Sequence, residues 1–259
     1  MSPIRSPSWR NDAGLAGRSV LITGAAGGIG SAVARAVAEA GAVVGAVDLA
    51  ADSLDQLVAE LPGTGHLALP CDVTDLAAQE RVLAETDAAA PLTGLVHAAA
   101  VIRRRPSVDE ITEADVDLQL SVNLKATFFL DRACWRVLRT RGGGSIVNVA
   151  SQGWWSGGFG GSTVYAATKG GVVSLTRGLS RSFAADRVRV NALAPGMVDT
   201  PMMQDGLDDE DRRQLLTQVP LGRLAAPDEL TGAALFLLSE ASSYVTGAVI
   251  NISGGQLMY

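Results

Sequence analysis

Short apolar runs alternate with longer stretches of helical periodicity along almost the whole chain. The runs Val20–Thr23, Val43–Val47, His66–Leu69, Gly94–Ala98, Ser145–Val149, Val188–Leu193 and Ala248–Ile252 are of strand length. Between them, residues 32–40, 53–60, 75–89, 112–139, 163–185 and 227–238 carry helical patterns. Strands that alternate with helices predict a seven-stranded parallel sheet covered on both faces, a three-layer α/β arrangement. Neither an internal repeat nor a linker interrupts the pattern, so residues 15–259 are expected to form a single domain, with residues 1–14 as an N-terminal extension. That extension has Ser, Pro and Arg but no apolar run of the signal-peptide kind. The polar stretch Gln204–Gln218 reads as a helical insertion near the end of the sixth strand, placed to act as a lid.

Composition narrows the function classes. At 259 residues, with 47% hydrophobic and 19% charged residues, the balance is that of a globular enzyme-sized chain. A net charge of −6 and the lack of a basic stripe argue against nucleic acid as partner. Cys71, Cys134, His66 and His97 show no metal-ligand spacing, so no metal site is expected, and a reducing cytoplasm fits two unpaired thiols. The uncharged stretch Gly142–Thr168 is interrupted by glycines and by Ser, Thr, Asn and Gln, which a lipid-facing helix would not tolerate. It better suits a strand leading into a site loop.

The first strand runs into Thr23-Gly-Ala-Ala-Gly-Gly-Ile-Gly30 and then a helix. Gly24, Gly27, Gly28 and Gly30, with Ile29 between them, permit a tight turn and let backbone amides approach a phosphate at a helix N-terminus. A glycine cluster is more often a simple turn; its place after a first strand makes a dinucleotide site the better reading. Asp48 ends the second strand, where a carboxylate can hold both hydroxyls of an adenine ribose and repel a 2′-phosphate. With Gly27 and Leu49 at the places where an arginine would favour NADP, NAD is the expected cofactor; the plainer reading makes Asp48 a turn cap. Asp72, followed by Val73, either meets the adenine amino group or caps a helix.

Tyr165 and Lys169 stand four apart, on one face of a helix, with Ser151 fourteen residues upstream. An ammonium beside a phenol favours the phenolate and so lowers the tyrosine pKa toward a useful range. A serine hydroxyl can then hold a carbonyl or alcohol oxygen. Taken alone, Tyr-x-x-x-Lys is commonly a half-buried ring with a snorkelling lysine.

Together the glycine loop, Asp48, Asp72, Asn123, Ser151, Tyr165-x-x-x-Lys169 and Pro195-Gly196 resemble the short-chain dehydrogenase/reductase family across residues 15–257. The resemblance implies a Rossmann-like fold and hydride transfer between nicotinamide and a secondary alcohol/ketone pair. It makes Tyr165 the general acid-base, Lys169 its pKa-lowering and ribose-binding partner, and Ser151 the group that orients the substrate oxygen. It makes Asn123 the holder of a relay water. Backbone at Ala98 and Ala99, and the segment Pro195, Gly196, Val198 and Thr200, would hold the cofactor. It also implies a homotetramer. Without it, Asn123 reads as a mid-helix residue bonded to its own backbone and Pro195-Gly196 as a turn.

The chain departs from the family pattern in three places. His97-Ala-Ala-Ala100 replaces the usual Asn-Asn-Ala-Gly, so side-chain bonds bracing the central strand are lost. His97 then reads as a strand-end residue satisfied by neighbouring backbone. Ser-to-Tyr spacing is one residue longer than usual, and Ser253 stands where an Asp often precedes Gly254-Gly255. The substrate side says less. Gln152, Trp154, Trp155 and Phe159 follow Ser151 and are expected to edge a pocket, with Met202, Met203 and Leu207 on the lid. Arg103-Arg-Arg105 could bind a carboxylate or be a solvated loop. Three functions remain open: an NAD-dependent alcohol dehydrogenase acting on a cyclic alcohol, polyol or sugar acid; a 3-oxoacyl-thioester reductase; and a catalytically silent dinucleotide sensor.

Overall fold

A computed structural model of the chain describes residues 13–159, 161–204 and 209–258. Leu207 and nearly all of the N-terminal extension expected over residues 1–14 lie outside the described residues.

Seven strands form one parallel sheet in the order β3-β2-β1-β4-β5-β6-β7. They are β1 Ser19–Thr23, β2 Val43–Asp48, β3 Leu67–Pro70, β4 Leu92–His97, β5 Gly144–Val149, β6 Val188–Pro195 and β7 Val249–Ile252. The helices are α1 Gly28–Glu39, α2 Ala51–Glu60, α3 Leu76–Ala89, α4 Glu113–Leu120, α5 Ala126–Thr140, α6 Gly153–Ser156, α7 Thr163–Phe183, α8 Pro201–Gln204, α9 Asp209–Leu216 and α10 Thr231–Leu238. This is the Rossmann-like α/β architecture expected from the alternation of runs. Both faces of a parallel sheet are covered, so its strands read as continuous apolar runs rather than alternating ones. One core packs Val33, Val37, Leu54 and Leu237 against Val20, Ile22 and Val44. The other packs Leu83, Leu130, Leu138 and Phe183 against Leu21, Leu95 and Ile146.

Local chemistry sets the helix ends. Asp75 caps α3 by accepting from the amides of Ala77 and Ala78, and Thr112 with Asp115 forms a capping box at α4. The pattern over residues 112–139 predicts one helix; the structure breaks it with a π-helical turn at Ser121–Lys125 between α4 and α5. Of the insertion expected over Gln204–Gln218, the described residues form one short helix, α9; α8 precedes it and ends at Gln204.

β1 and β4 are adjacent although two strands separate them in sequence, so the chain's direction of travel reverses there. The carboxyl edge at such a switch point is where open α/β sheets hold ligands.

Candidate active site

A cleft opens at that edge. It is lined by Gly24, Gly27, Gly28, Ile29 and Gly30 of the first loop, Ala98 and Ala100 after β4, and Val149, Ala150 and Ser151 after β5. Tyr165 and Lys169 of α7 and the segment Pro195, Gly196, Val198, Thr200, Pro201, Met202 and Met203 complete it, with Ile102 and Arg104 at the outer end.

The glycine loop is held too tightly for side chains. Gly24 has φ +66°, and a Cβ on it would stand 2.8 Å from the backbone of Ala98 and Ala99. A Cβ on Gly30 would stand 2.0 Å from the Gly24 carbonyl oxygen. No side chain caps the N-terminus of α1, and its first turn carries no acid. An uncapped helix N-terminus facing a glycine-lined cleft suits a pyrophosphate. Across β1, Ala98 donates to the Thr23 carbonyl at 3.2 Å and Ala99 donates to Thr23 Oγ1 at 3.2 Å. Thr23 thus braces the strand ends where the family pattern would place asparagine side chains.

Asp48 fulfils its plainer reading. Its Oδ2 accepts from the Ala26 amide at 3.1 Å, and its Oδ1 accepts from Leu49 at 2.7 Å and Ala50 at 3.4 Å. The carboxylate therefore ties β2 to the glycine loop and stands beside the cleft, next to the exposed Leu49. Asp72 Oδ1 accepts from the amide and hydroxyl of Thr74. Val73 is buried in the core near it. None of Asp48, Leu49, Asp72, Val73 and Ala99 is on the cleft wall itself.

Ser151, Tyr165 and Lys169 meet as their spacing predicts. Ser151 lines the cleft beside Tyr165, near enough to pull the phenol pKa down, and its Oγ accepts from the Gly153 amide at 3.1 Å. Lys169 Nζ donates to the Val149 carbonyl at 2.6 Å and lies 5.6 Å from the Tyr165 ring centroid. The charge that bears most on the Tyr165 hydroxyl is that of Arg104. Burial dominates and pushes Tyr165 up to about 12; the opposing pulls come from Arg104 first and Ser151 second. Burial also lowers Lys169 to about 8.

Asn123 is fully buried on the π-helical turn. Its Oδ1 accepts from the Val101 amide at 2.8 Å, and its Nδ2 donates to the Val101 carbonyl at 2.9 Å and to Thr168 Oγ1 at 3.1 Å. The own-backbone reading is thereby excluded: the side chain pins the loop after β4 to α7. His97 also departs from expectation. It is buried, and its bond is to the Thr127 hydroxyl at 3.4 Å rather than to backbone. Thr127 donates its one hydrogen to the Asn123 carbonyl at 2.8 Å, so His97 Nε2 carries the proton. Its Nδ1 has no protein partner, and burial lowers the ring to about 3, keeping it neutral.

The strap Pro195–Thr200 is fixed by backbone. Gln152 donates to the Pro195 carbonyl, Gly196 to Ile252, and Asp199 to Ala225. Ser253 Oγ donates to the Leu257 carbonyl at 3.2 Å, closing the C-terminal turn.

On the substrate side, Met202 and Met203 line the cleft, but Gln152, Trp154 and Trp155 do not, correcting the expectation that they edge it. Gln152 is buried and donates through Nε2 to Gln256 Oε1 at 2.5 Å. Trp154 packs on the core beside Val172 and Val173, with Arg177 over its ring, and Trp155 is 57% exposed. The three consecutive arginines separate. Arg105 forms a bidentate pair with Asp115 at 2.9 and 2.7 Å. Arg103 is exposed and anchored through its amide to Gln119. Arg104 lines the cleft, which the run of three could not single out.

The family described as enoyl-(acyl carrier protein) reductase matches residues 24–256. A (2S)-[(R)-hydroxy(phenyl)methyl]succinyl-CoA dehydrogenase subunit of Thauera aromatica is 36% identical, over 95% of this chain and 99% of its own length. The chain belongs to the short-chain dehydrogenase/reductase family. Within that family, a galactitol 2-dehydrogenase (L-tagatose-forming) of Cereibacter sphaeroides is 38% identical, over 95% of this chain and 97% of its own. A crystal structure from Beutenbergia cavernae, described as an NAD(P)-dependent gluconate 5-dehydrogenase with NADP bound at low occupancy, superposes with a TM-score of 0.85 at 36% identity, covering 95% of this chain and 98% of that one. Membership of that family makes the chain an oxidoreductase of the short-chain dehydrogenase/reductase type. Among the described residues there is no helix long and apolar enough to cross a membrane and no cluster of potential metal ligands.

Proposed function

We propose that this chain is an NAD-dependent dehydrogenase interconverting a secondary alcohol and its ketone, with Tyr165 as acid-base. The observation that carries the reading is the meeting of Ser151, Tyr165 and Lys169 on the wall of one cleft with the glycine loop. Ser151 and Tyr165 converge on one point where a substrate oxygen can sit, and two hydroxyls aimed there stabilise negative charge as it develops. Lys169 stands behind the tyrosine, held on the Val149 carbonyl, with ammonium hydrogens left to donate toward a ribose. Asn123 fixes the loop after β4, and with it the cleft's inner wall. A nicotinamide dinucleotide supplies the hydride chemistry; the protein supplies position and proton transfer.

The residues present fit that group. Gly24, Gly27, Gly28, Ile29 and Gly30 offer a cradle without side chains for the pyrophosphate. Ala98, Ala99, Pro195, Gly196, Val198 and Thr200 flank the place for the nicotinamide. Asp48 and Leu49 would meet the adenine ribose, and Asp72 and Val73 the adenine. Asp48 favours NAD, because its carboxylate would repel a 2′-phosphate. The same residue weighs against a 3-oxoacyl-thioester reductase drawing on NADPH. The convergence of Ser151 and Tyr165 weighs against a silent sensor.

The substrates named for the relatives include a polyol, a sugar acid and a hydroxyacyl-CoA. A polyol or hydroxy acid is the class we assign, with Met202 at the outer wall. A homotetramer is supported by the apolar surface formed by Leu120, Leu124, Phe128, Phe129 and Leu175 on α4, the π-helical turn, α5 and α7. Tyr165→Phe tests the central claim. It should remove turnover of secondary alcohols with NAD and leave NADH binding, read by fluorescence, within about threefold. Retained turnover would reject the assignment.

A further inference from the structure

Asn148 is a fully buried polar residue near the end of β5, one position before the carbonyl that holds Lys169. The chain beyond it stays on the sheet. Ala150 donates to the Leu193 carbonyl and Gln152 to the Pro195 carbonyl, both at 2.8 Å, so Ser151 stands on an extension of β5. Tyr165 and Lys169 stand on α7. How the three meet therefore depends on how α7 lies along β5, in translation and in rotation.

Apolar packing fixes that only loosely. Ala150, Val172, Val173 and Ala192 form one buried cluster where α7 meets the sheet, and such contacts are non-directional. Asn148 adds direction. Its Nδ2 donates to Thr176 Oγ1 at 3.2 Å and to Asp131 Oδ2 at 2.8 Å, which uses both amide hydrogens. Thr176 is fully buried, seven residues after Lys169 and eleven after Tyr165, so the three share one face of α7. Asp131, also fully buried, stands on α5. One amide thus ties the strand that leads to Ser151 to the helix that carries Tyr165 and Lys169. A slide or rotation of α7 leaves a buried amide hydrogen unpaired, which is unfavourable.

We propose that Asn148 is a positioning residue for this site: through Thr176 it registers α7 on β5, and so sets Tyr165 and Lys169 against Ser151. The inference rests on the dehydrogenase reading above and names what aligns the two halves of its site. A small error in that alignment acts on turnover more than on substrate affinity, because the reacting atoms lose their near-attack geometry.

Lys125 and Lys169 are the chain's two lysines, which gives a readout independent of turnover. In protein labelled with 13C at the lysine ε-carbons, Lys169 is assigned by its loss in Lys169→Met, and the exposed Lys125 serves as reference. Thr176→Val keeps the branched shape and removes the acceptor; Thr176→Ser keeps the hydroxyl. At fixed pH, Thr176→Val should move the Lys169 resonance and leave that of Lys125 in place. It should also lower kcat for secondary alcohols with NAD at least tenfold per folded enzyme, with KM for the alcohol within threefold. Thr176→Ser should keep the resonance in place and kcat within threefold of wild type. Asn148→Leu combined with Asp131→Leu removes both polar partners together and should act as Thr176→Val does; it decides the matter if Thr176→Val does not fold. The proposal is overturned if either the resonance or kcat stays with wild type in the deciding variant, or if Thr176→Ser is impaired as badly as Thr176→Val. The dehydrogenase reading is judged separately. Turnover that depends on Tyr165 keeps it standing when the registration fails, whereas a wild type that turns over no secondary alcohol sinks that reading and leaves the Lys169 resonance to decide the registration.

Discussion

Thr200 crosses Gly28 so closely that a Cβ on the glycine would stand 2.5 Å from the threonine Cγ2 and 3.1 Å from its Cβ. The contact joins the loop after β1 to the strap after β6, the two segments that flank the nucleotide cradle. Gly28 begins α1 with ordinary helical geometry, so an alanine there is unfavourable only because of its neighbour.

Gly28→Ala should therefore act through Thr200. Its NADH affinity should fall at least tenfold, with the fold retained by circular dichroism. Thr200→Ser removes Cγ2 and keeps the hydroxyl, so the double variant should regain part of the loss. Equal affinities in the single and double variants would show that the methyl clash is not the cause.

Asp48 couples two roles. Its three backbone acceptor bonds order the end of β2 and the glycine loop, and the same carboxylate faces the proposed ribose position. Asp48→Asn keeps acceptor oxygen for part of this network and removes the charge. The ratio of kcat/KM for NAD over NADP should drop at least tenfold in Asp48→Asn, while Tm falls by a few degrees at most. Asp48→Ala should show the same loss of selectivity with a larger drop in Tm, since amides lose their acceptor. An unchanged ratio in both variants would leave Asp48 with its capping role only.

Most of the fold was legible because buried parallel strands announce themselves as apolar runs. Val43–Val47 and Val188–Leu193 needed only small adjustments at their ends. The juxtaposition of Tyr165 and Lys169 was legible because helix periodicity is local. The break at Ser121–Lys125 was not, since Ser-Val-Asn-Leu-Lys carries no helix-stopping residue. Nor was the fate of Gln152, which depends on Gln256 at the far end of the chain. What sets the Tyr165 pKa was equally hidden. Burial and the approach of Arg104 are tertiary facts, and neither follows from spacing along one helix.

Lys169 carries a pH dependence of its own. Burial holds it at about 8 against an ordinary 10.5. Between those values the unfolded chain binds more protons than the native one, so stability rises with pH across the window. The gain is about 3 kcal/mol at most, from ~1.4 kcal/mol per unit. Lys169→Met should lose turnover and also lose this rise. Its Tm relative to wild type should fall steadily from pH 8 to pH 10, and a constant difference would show that the native amine titrates normally.

A buried pair beneath the site should cancel its own signals. His97 lies beside Asn148 in the β4–β5 ladder, and Asn148 Nδ2 donates to Asp131 Oδ2 at 2.8 Å. His97 Nδ1, Asn148 Oδ1 and Asp131 Oδ1 all lack protein partners. Burial pushes Asp131 up to about 7 from 3.8 and His97 down to about 3 from 6.5. The raised carboxyl favours the native state at low pH, and that contribution is lost as pH rises from 3.8 to 7. The depressed imidazole does the reverse: its native neutrality becomes costly as pH falls from 6.5 to 3. Each slope is ~1.4 kcal/mol per pH unit, of opposite sign, between about pH 4 and 6.5. Wild-type stability from these two groups should thus be flat there. Asp131→Asn, whose amide can donate to Asn148 Oδ1, should show stability climbing with pH over that range, and His97→Gln should show it falling. Urea titrations at half-unit pH intervals measure both slopes, and parallel curves for the two variants would mean that neither group titrates in the buried state assigned to it.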